Sequence, residues 1–175
     1  MIRAVVDTSS LISLEMIGAL EKSFKIVEVL IPKAVELEIK EMKKYDDKEG
    51  LAAKNVLKWV KKSQIKTIKI KKQENVESTL SKNVGRGEAE CFACCLEQRI
   101  STLIMDDVNA AYRLEGLAIA KEIKIKLSVA VLVELHRKKL LNKNELKTSI
   151  KKLIKTRKWE GGALEILCKK YLHAP

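Results

Sequence analysis

Short apolar runs alternate along this chain with longer stretches in which apolar residues recur every three or four positions. The short runs lie at residues 2–6, 26–31, 65–70, 102–105 and 122–127. Runs of this length are typical of strands in a parallel sheet, and the lysines that alternate through the third run are typical of an edge strand. Strands that alternate with helices indicate a parallel sheet covered on both faces. We therefore expect an α/β protein, a three-layer α/β/α sandwich with a central, mostly parallel sheet of four to five strands.

Helical spacing of the apolar residues fills most of the chain between these runs. The first predicted helix is capped by Ser9 or Ser10 and continues to Leu20. Residues 85–87, which contain two glycines, predict a break in the chain. Further helices are predicted at residues 32–43, 51–62, 88–99, 108–117, 129–139, 143–155 and 162–172, and a loop or helical turn is predicted at residues 73–84.

The length and composition of the chain are those of one globular domain. It has 175 residues, of which 46% are hydrophobic and 33% are charged, too apolar for a disordered protein. We expect residues 1–175 to form a single domain, with residues 128–175 as a helical extension packed on it. No apolar run approaches the roughly 18 residues needed to cross a membrane, and the first residues lack the apolar core of a secretory signal. We expect a cytoplasmic protein with no membrane association.

A strong excess of positive charge distinguishes this chain from an average enzyme. The formal net charge is +12 and the isoelectric point is about 9.5. Such a balance favours a polyanionic partner, most often a nucleic acid, although a lysine-rich surface also serves solubility. Because lysine dominates over arginine, we expect contacts to a nucleic-acid backbone rather than to base edges.

Acidic residues follow two of the predicted strands directly. Asp7 follows the first strand, and the adjacent pair Asp106 and Asp107 follows the fourth. Ligands of open α/β sheets bind at this carboxyl edge. Either position could instead cap the next helix, but a cap accounts for one aspartate of the pair and not comfortably for both. Two adjacent carboxylates raise each other's pKa unless a cation lies between them.

Two glutamates on predicted helices could reach the same edge. Glu38 lies one helical turn after Val35 and projects from the same face of its helix. Glu88 lies in the first turn after the glycine break, where the positive end of a helix favours a carboxylate. A solvated helix face would explain Glu38 equally well, and the helix dipole alone would explain Glu88. Acids at the ends of apolar segments in a basic protein suggest a hard metal ion and phosphodiester chemistry.

Four motifs occur in an order that resembles a known family. They are Val6-Asp7-Thr8-Ser9-Ser10-Leu11-Ile12, Ile31-Pro32-x-x-Val35-x-x-Glu38-Ile39, Gly87-Glu88-Ala89-Glu90 and Leu103-Ile104-Met105-Asp106-Asp107. This order resembles that of the PIN-domain nucleases, most closely the prokaryotic branch allied to VapC-type toxins. The resemblance covers roughly residues 1–140.

The resemblance implies a pocket of carboxylates that binds Mg²⁺ or Mn²⁺. The implied ligands are Asp7, then Glu38, then Glu88, then either Asp106 or Asp107, with the Ser9 hydroxyl beside the metal. It further implies cleavage of RNA, often by the toxin of a toxin–antitoxin pair, so that the expected partners are RNA, an antitoxin protein and a second copy of the chain in a homodimer. Related chains often carry an arginine soon after the last acidic motif, whereas here Arg113 comes later.

Two other functions fit the same residues. A PIN-like domain with a weak metal site would bind RNA without cutting it. A structure-specific nuclease that acts in RNA maturation or on DNA would carry similar carboxylates.

Overall fold

Among the described residues, five parallel strands form the central sheet of this protein. The computed structural model describes residues 1–71 and 84–172. The strands are β1 (Ile2–Val6), β2 (Val27–Pro32), β3 (Ile65–Ile68), β4 (Thr102–Ile104) and β5 (Lys124–Lys126). Their order across the sheet is β3-β2-β1-β4-β5. The sheet is wholly parallel, and the α/β/α sandwich expected from the sequence is confirmed.

Strand β1 lies at the centre of the sheet, and its last three residues are buried. Val5 in β1 is level with Leu30 in β2 and with Leu103 in β4, and all three side chains are buried. This register brings the carboxyl ends of β1, β2 and β4 to one edge. The strands that alternate with lysine, β3 and β5, lie at the two sides of the sheet, where a lysine side chain reaches solvent.

Helices connect the strands and cover the sheet. They are α1 (Thr8–Met16), α2 (Leu20–Ser23), α3 (Lys33–Met42), α4 (Lys48–Lys61), α5 (Arg86–Gln98), α6 (Val108–Ala120), α7 (Ser128–Arg137), α8 (Lys143–Thr156) and α9 (Ala163–Leu172). Helix α5 packs on β1, β2 and β4, and α1 packs on α3, α4, α7 and α8. In the described residues, no helix is long and apolar enough to cross a membrane.

The first helix differs from its prediction at both ends. Asp7, not Ser9 or Ser10, is the N-cap, and its carboxylate accepts a hydrogen bond from the backbone N–H of Ser10. Gly18 adopts a left-handed backbone with φ of +76°, which ends α1 and leaves α2 as a separate short helix. The prediction of one helix to Leu20 was wrong because it weighed apolar spacing above this glycine.

Helix α5 begins earlier than predicted. Gly85 is its N-cap, so Gly87 lies inside the first turn instead of forming a break before the helix. Beyond that turn, Phe92 and the side chains around it are buried. Most of the predicted loop at residues 73–84 lies outside the described residues.

Candidate active site

A cavity of about 190 Å³ opens at the carboxyl edge of the sheet, next to the ends of β1 and β4. Four carboxylates predicted from the sequence line it together. The lining residues are Asp7, Thr8, Ser9, Ile12, Val35, Glu38, Met42, Gly87, Glu88, Asp107 and Arg157. Helices α1, α3, α5 and α6 each contribute a side chain or an N-cap, so residues far apart in the chain meet at one place.

Asp7 lies almost fully buried at the floor of the cavity, with 5% of its surface exposed. Its Oδ1 accepts a hydrogen bond from the backbone N–H of Ser10 (2.8 Å), and its Oδ2 accepts one from the Ser9 hydroxyl (2.6 Å). Burial, and after it the nearby Asp106 carboxylate, raises the pKa of Asp7 to about 7, although the hydrogen bonds from Ser9 and Ser10 act in the opposite direction. Asp7 therefore both caps α1 and holds a costly buried charge.

Glu38 reaches the cavity from α3, where the Thr8 hydroxyl donates a short hydrogen bond to its Oε2. Partial burial raises the pKa of Glu38, the Thr8 hydrogen bond opposes this, and the carboxylates of Glu88 and Glu90 raise the pKa further. A Cβ atom built on Gly87 would overlap the Glu38 carboxylate. The position of Glu38 thus depends on a residue without a side chain in the first turn of α5.

A second glycine leaves room for the Glu88 carboxylate in the same way. This carboxylate lies against Gly85, where an added Cβ would overlap Glu88 Oε2. Glu88 is half-buried in the first turn of α5, at the positive end of the helix. The two glycines make room for two carboxylates, a role that the prediction of a simple chain break did not anticipate.

Asp106 and Asp107 occupy different environments although they are adjacent. Asp107 is exposed, lines the cavity and caps α6, because its Oδ1 accepts a hydrogen bond from the Ala110 N–H (2.9 Å). Asp106 is buried behind Asp7. Its Oδ1 accepts a hydrogen bond from the Ser128 N–H (2.8 Å), while its buried Oδ2 has no hydrogen-bond partner among the described residues. Burial raises the pKa of Asp106 despite the hydrogen bond from Ser128.

Arg157, at the end of α8, contributes a cationic side chain to the wall of this acidic cavity. Its Nη1 contacts Glu49 Oε1 at 2.5 Å, and its buried Nε has no hydrogen-bond partner in the part of the chain that the structure describes. The sequence analysis missed this residue because it lies 150 positions from Asp7, outside any recognisable motif. Arg113 does not line the cavity and is exposed on α6.

Two further glutamates near the motifs have structural partners. Glu90 is buried, and its Oε2 accepts a hydrogen bond from the Ala34 N–H (3.0 Å), which joins α5 to the first turn of α3. Glu36 is also buried and accepts hydrogen bonds from Lys33 and Lys40. Burial alone would raise the pKa of Glu36, but these hydrogen bonds outweigh it and lower the pKa to about 2.

The donor atoms of the cavity suit a hard divalent cation. In residues 1–71 and 84–172, no three His, Cys, Asp or Glu side chains lie close enough together to hold an ion as they stand. The cavity nonetheless offers carboxylate and hydroxyl oxygens, which are the ligands that Mg²⁺ and Mn²⁺ prefer, and its described lining contains no His or Cys. Burial and the neighbouring Asp106 carboxylate raise the pKa of Asp7, so a cation bound at this place would offset the cost of ionising Asp7.

Comparison with known proteins identifies the family. No protein of curated function matches the sequence. A family model described as a PIN domain matches residues 3–164, nearly the whole chain. The affiliation with the VapC branch stays a prediction. The chain belongs to the PIN-domain family, whose members are generally nucleases.

Proposed function

We propose that this protein is a metal-dependent endoribonuclease. The observation that carries the proposal is the single cavity lined by Asp7, Glu38, Glu88 and Asp107 at the carboxyl edge of the sheet. The buried Asp106 stands behind Asp7 and adds negative charge. In a basic protein, carboxylates from four elements that meet at one place are expected where a bound cation contacts the phosphodiester of a substrate.

The four cavity carboxylates would hold Mg²⁺ or Mn²⁺. Such an ion, when bound, supplies a Lewis acid that activates water and offsets the charge on the reacting phosphate. The Thr8 hydroxyl orients Glu38, and the Ser9 hydroxyl orients Asp7. Because the Thr8 and Ser9 hydroxyls each donate a hydrogen bond to a carboxylate, we expect water rather than a side chain to attack in line and leave a 5′-phosphate and a 3′-hydroxyl.

The proposed substrate is RNA. A net charge of +12 favours a polyanion, and the dominance of lysine favours contacts to its backbone. From the resemblance to VapC-type toxins we further propose a cytoplasmic homodimer that acts as the toxin of a toxin–antitoxin pair. A monomeric mass by light scattering would refute the homodimer, and the absence of a small cognate reading frame beside the gene would argue against the antitoxin.

The test is cleavage of a single-stranded RNA with added Mn²⁺. Wild type should cleave, whereas Asp7→Asn, Glu38→Gln and Glu88→Gln should each lose at least 100-fold in rate, on the order of the contribution of a well-placed charged group. The matched control is Glu115→Gln, because Glu115 is exposed on α6 and does not line the cavity. Full cleavage by Asp7→Asn would overturn the assignment of the site.

A second candidate function is RNA binding without cleavage. It is favoured by the spacing of the described carboxylates, because no three of them stand close enough to hold an ion without moving. RNA binding by wild type with no cleavage at any Mn²⁺ concentration would support this alternative. Preferential cleavage of flap DNA over RNA would instead support a structure-specific nuclease.

A further inference from the structure

A lysine-lined groove runs beside the acidic cavity. Its volume is about 560 Å³, and its walls come from α1, α4 and the end of α8. Its charged lining residues are Glu15, Lys48, Lys152, Lys155 and Lys158. We call this feature the lysine groove. With four ammonium groups against one carboxylate, its wall is strongly positive.

The positive charge of the lysine groove is largely uncompensated. Lys48, Lys155 and Lys158 are exposed, and none of them forms an ion pair within the described part of the chain. Lys152 donates a hydrogen bond to a backbone carbonyl, that of Ile17 (3.2 Å), rather than to a carboxylate of the described residues. Glu15 is occupied as well, since its Oε2 accepts a hydrogen bond from the Trp59 indole N–H (3.2 Å). Unpaired ammonium groups that converge on a groove attract phosphate.

Arg157 connects the lysine groove to the acidic cavity. The flanking residues Thr156 and Lys158 line the groove, while Arg157 itself lines the cavity. Its Nη1 lies 4.0 Å from the sulfur of Met16, another residue of the groove wall. The same guanidinium pairs with Glu49, the neighbour of Lys48. The groove and the cavity therefore share one wall.

We propose that the lysine groove binds the phosphodiester backbone of single-stranded RNA and leads it past Arg157 into the acidic cavity. This inference rests on the proposed nuclease function and names the path of its substrate. Lysine ammonium groups bind phosphates as point charges without reading sequence, so the groove supplies affinity and direction. Arg157 is the positioning residue, because its guanidinium can exchange the Glu49 carboxylate for a phosphate of the strand that enters the cavity.

The first experiment measures the salt dependence of RNA binding. All proteins carry Asp7→Asn to prevent cleavage, and the probe is a fluorescent single-stranded oligoribonucleotide. Lys155→Gln with Lys158→Gln should bind about 10-fold more weakly at 0.1 M salt. The slope of log K against log salt should fall by about 1.4, because each lost contact to a single strand removes about 0.7.

The matched control for that variant is Lys138→Gln with Lys147→Gln. These two lysines are exposed and lie outside the lysine groove. Their replacement removes the same formal charge as the groove variant does. Their variant should keep most of the affinity and the original slope. If both variants lose RNA affinity equally, general charge attraction explains binding and the proposal for the groove is overturned. Tighter binding of a duplex of the same sequence would also overturn it.

A cleavage assay separates failure of the groove from failure of the proposed function. In an otherwise wild-type protein, Lys155→Gln with Lys158→Gln should raise KM about 10-fold and leave kcat nearly unchanged. Normal KM and kcat in this variant, together with loss of cleavage in Asp7→Asn, would overturn the groove and leave the nuclease intact. Absence of cleavage by wild type would overturn the proposed function itself.

The second experiment tests Arg157 through its partner Glu49. Glu49→Gln removes the competing carboxylate, so we expect RNA to bind several-fold more tightly. Arg157→Gln should bind more weakly, and Arg157→Lys should recover part of the loss, because a point charge still attracts phosphate. If Glu49→Gln weakens binding as much as Arg157→Gln does, the pair serves only to hold the helices together, and the positioning role is refuted.

Discussion

Replacing Asp7 by asparagine should stabilise the metal-free protein above neutral pH while it abolishes cleavage. Asparagine is nearly isosteric and is among the best N-cap residues, so the cap of α1 is retained. What the substitution removes is the ionised form of a carboxylate that is buried beside Asp106. A gain in stability with a loss of activity distinguishes a charge kept for function from a residue kept for folding.

The magnitude follows from the pKa of Asp7, which burial and the Asp106 carboxylate raise to about 7 from an ordinary value of 3.8. A raised carboxyl pKa gives stability that is fully present below the unfolded value and is lost as pH rises through the folded value. Between about pH 5 and 7 the folded wild type keeps a proton that the unfolded chain has lost, which costs about 1.4 kcal/mol per pH unit. The advantage of Asp7→Asn should therefore grow by roughly 3 kcal/mol between pH 5 and pH 8.

The assay is urea unfolding of both proteins at about pH 5, 6, 7 and 8 with EDTA present. The control is Asp46→Asn, because the side chain of Asp46 is 97% exposed and should change stability by less than about 0.5 kcal/mol at every pH. Added Mg²⁺ should then stabilise wild type and not Asp7→Asn. A variant that is less stable than wild type at pH 8, or an advantage that does not change with pH, would refute the reasoning.

Two further predictions concern glycine and the core. Gly87→Ala should displace the Glu38 carboxylate and lower the cleavage rate at least 10-fold, whereas Gly116→Ala, with open space around its Cβ, should keep full activity and gain up to about 1 kcal/mol of stability by urea unfolding. Normal cleavage by Gly87→Ala would contradict the claim that Gly87 leaves the space that Glu38 needs. Phe92→Ala should destabilise the protein by about 3–5 kcal/mol, because Phe92 is fully buried on α5, the helix that packs on β1, β2 and β4, and a loss below about 1 kcal/mol would contradict that burial.

The sheet could be predicted from the sequence because its strands are short apolar runs with a clear alternation of helices between them. The position of the acidic residues after β1 and β4 could also be predicted, since the carboxyl ends of parallel strands must meet at one edge. Asp7 and Asp107 were weighed as either caps or site residues, and the structure shows that each caps a helix and also lines the cavity. The two roles do not exclude each other.

The remaining features depend on contacts between distant parts of the chain. Gly87 could be recognised as a glycine in a sequence, but not as the residue that leaves space for Glu38, 49 positions earlier. Arg157 lines the same cavity as Asp7 because α8 packs on α1. Glu90 satisfies the first turn of α3, a contact that no helical periodicity indicates. Apolar patterns report which face is buried, not which polar group faces it.

The most direct test of the central claim is the anomalous scattering of Mn²⁺ in crystals of the wild-type protein. We predict a peak in the cavity about 2 Å from a carboxylate oxygen of Asp7 and within reach of Glu88 or Asp107, and no such peak in Asp7→Asn. A manganese ion bound elsewhere, or an empty cavity in crystals grown with millimolar Mn²⁺ and active protein, would contradict the proposal that these carboxylates hold the catalytic cation.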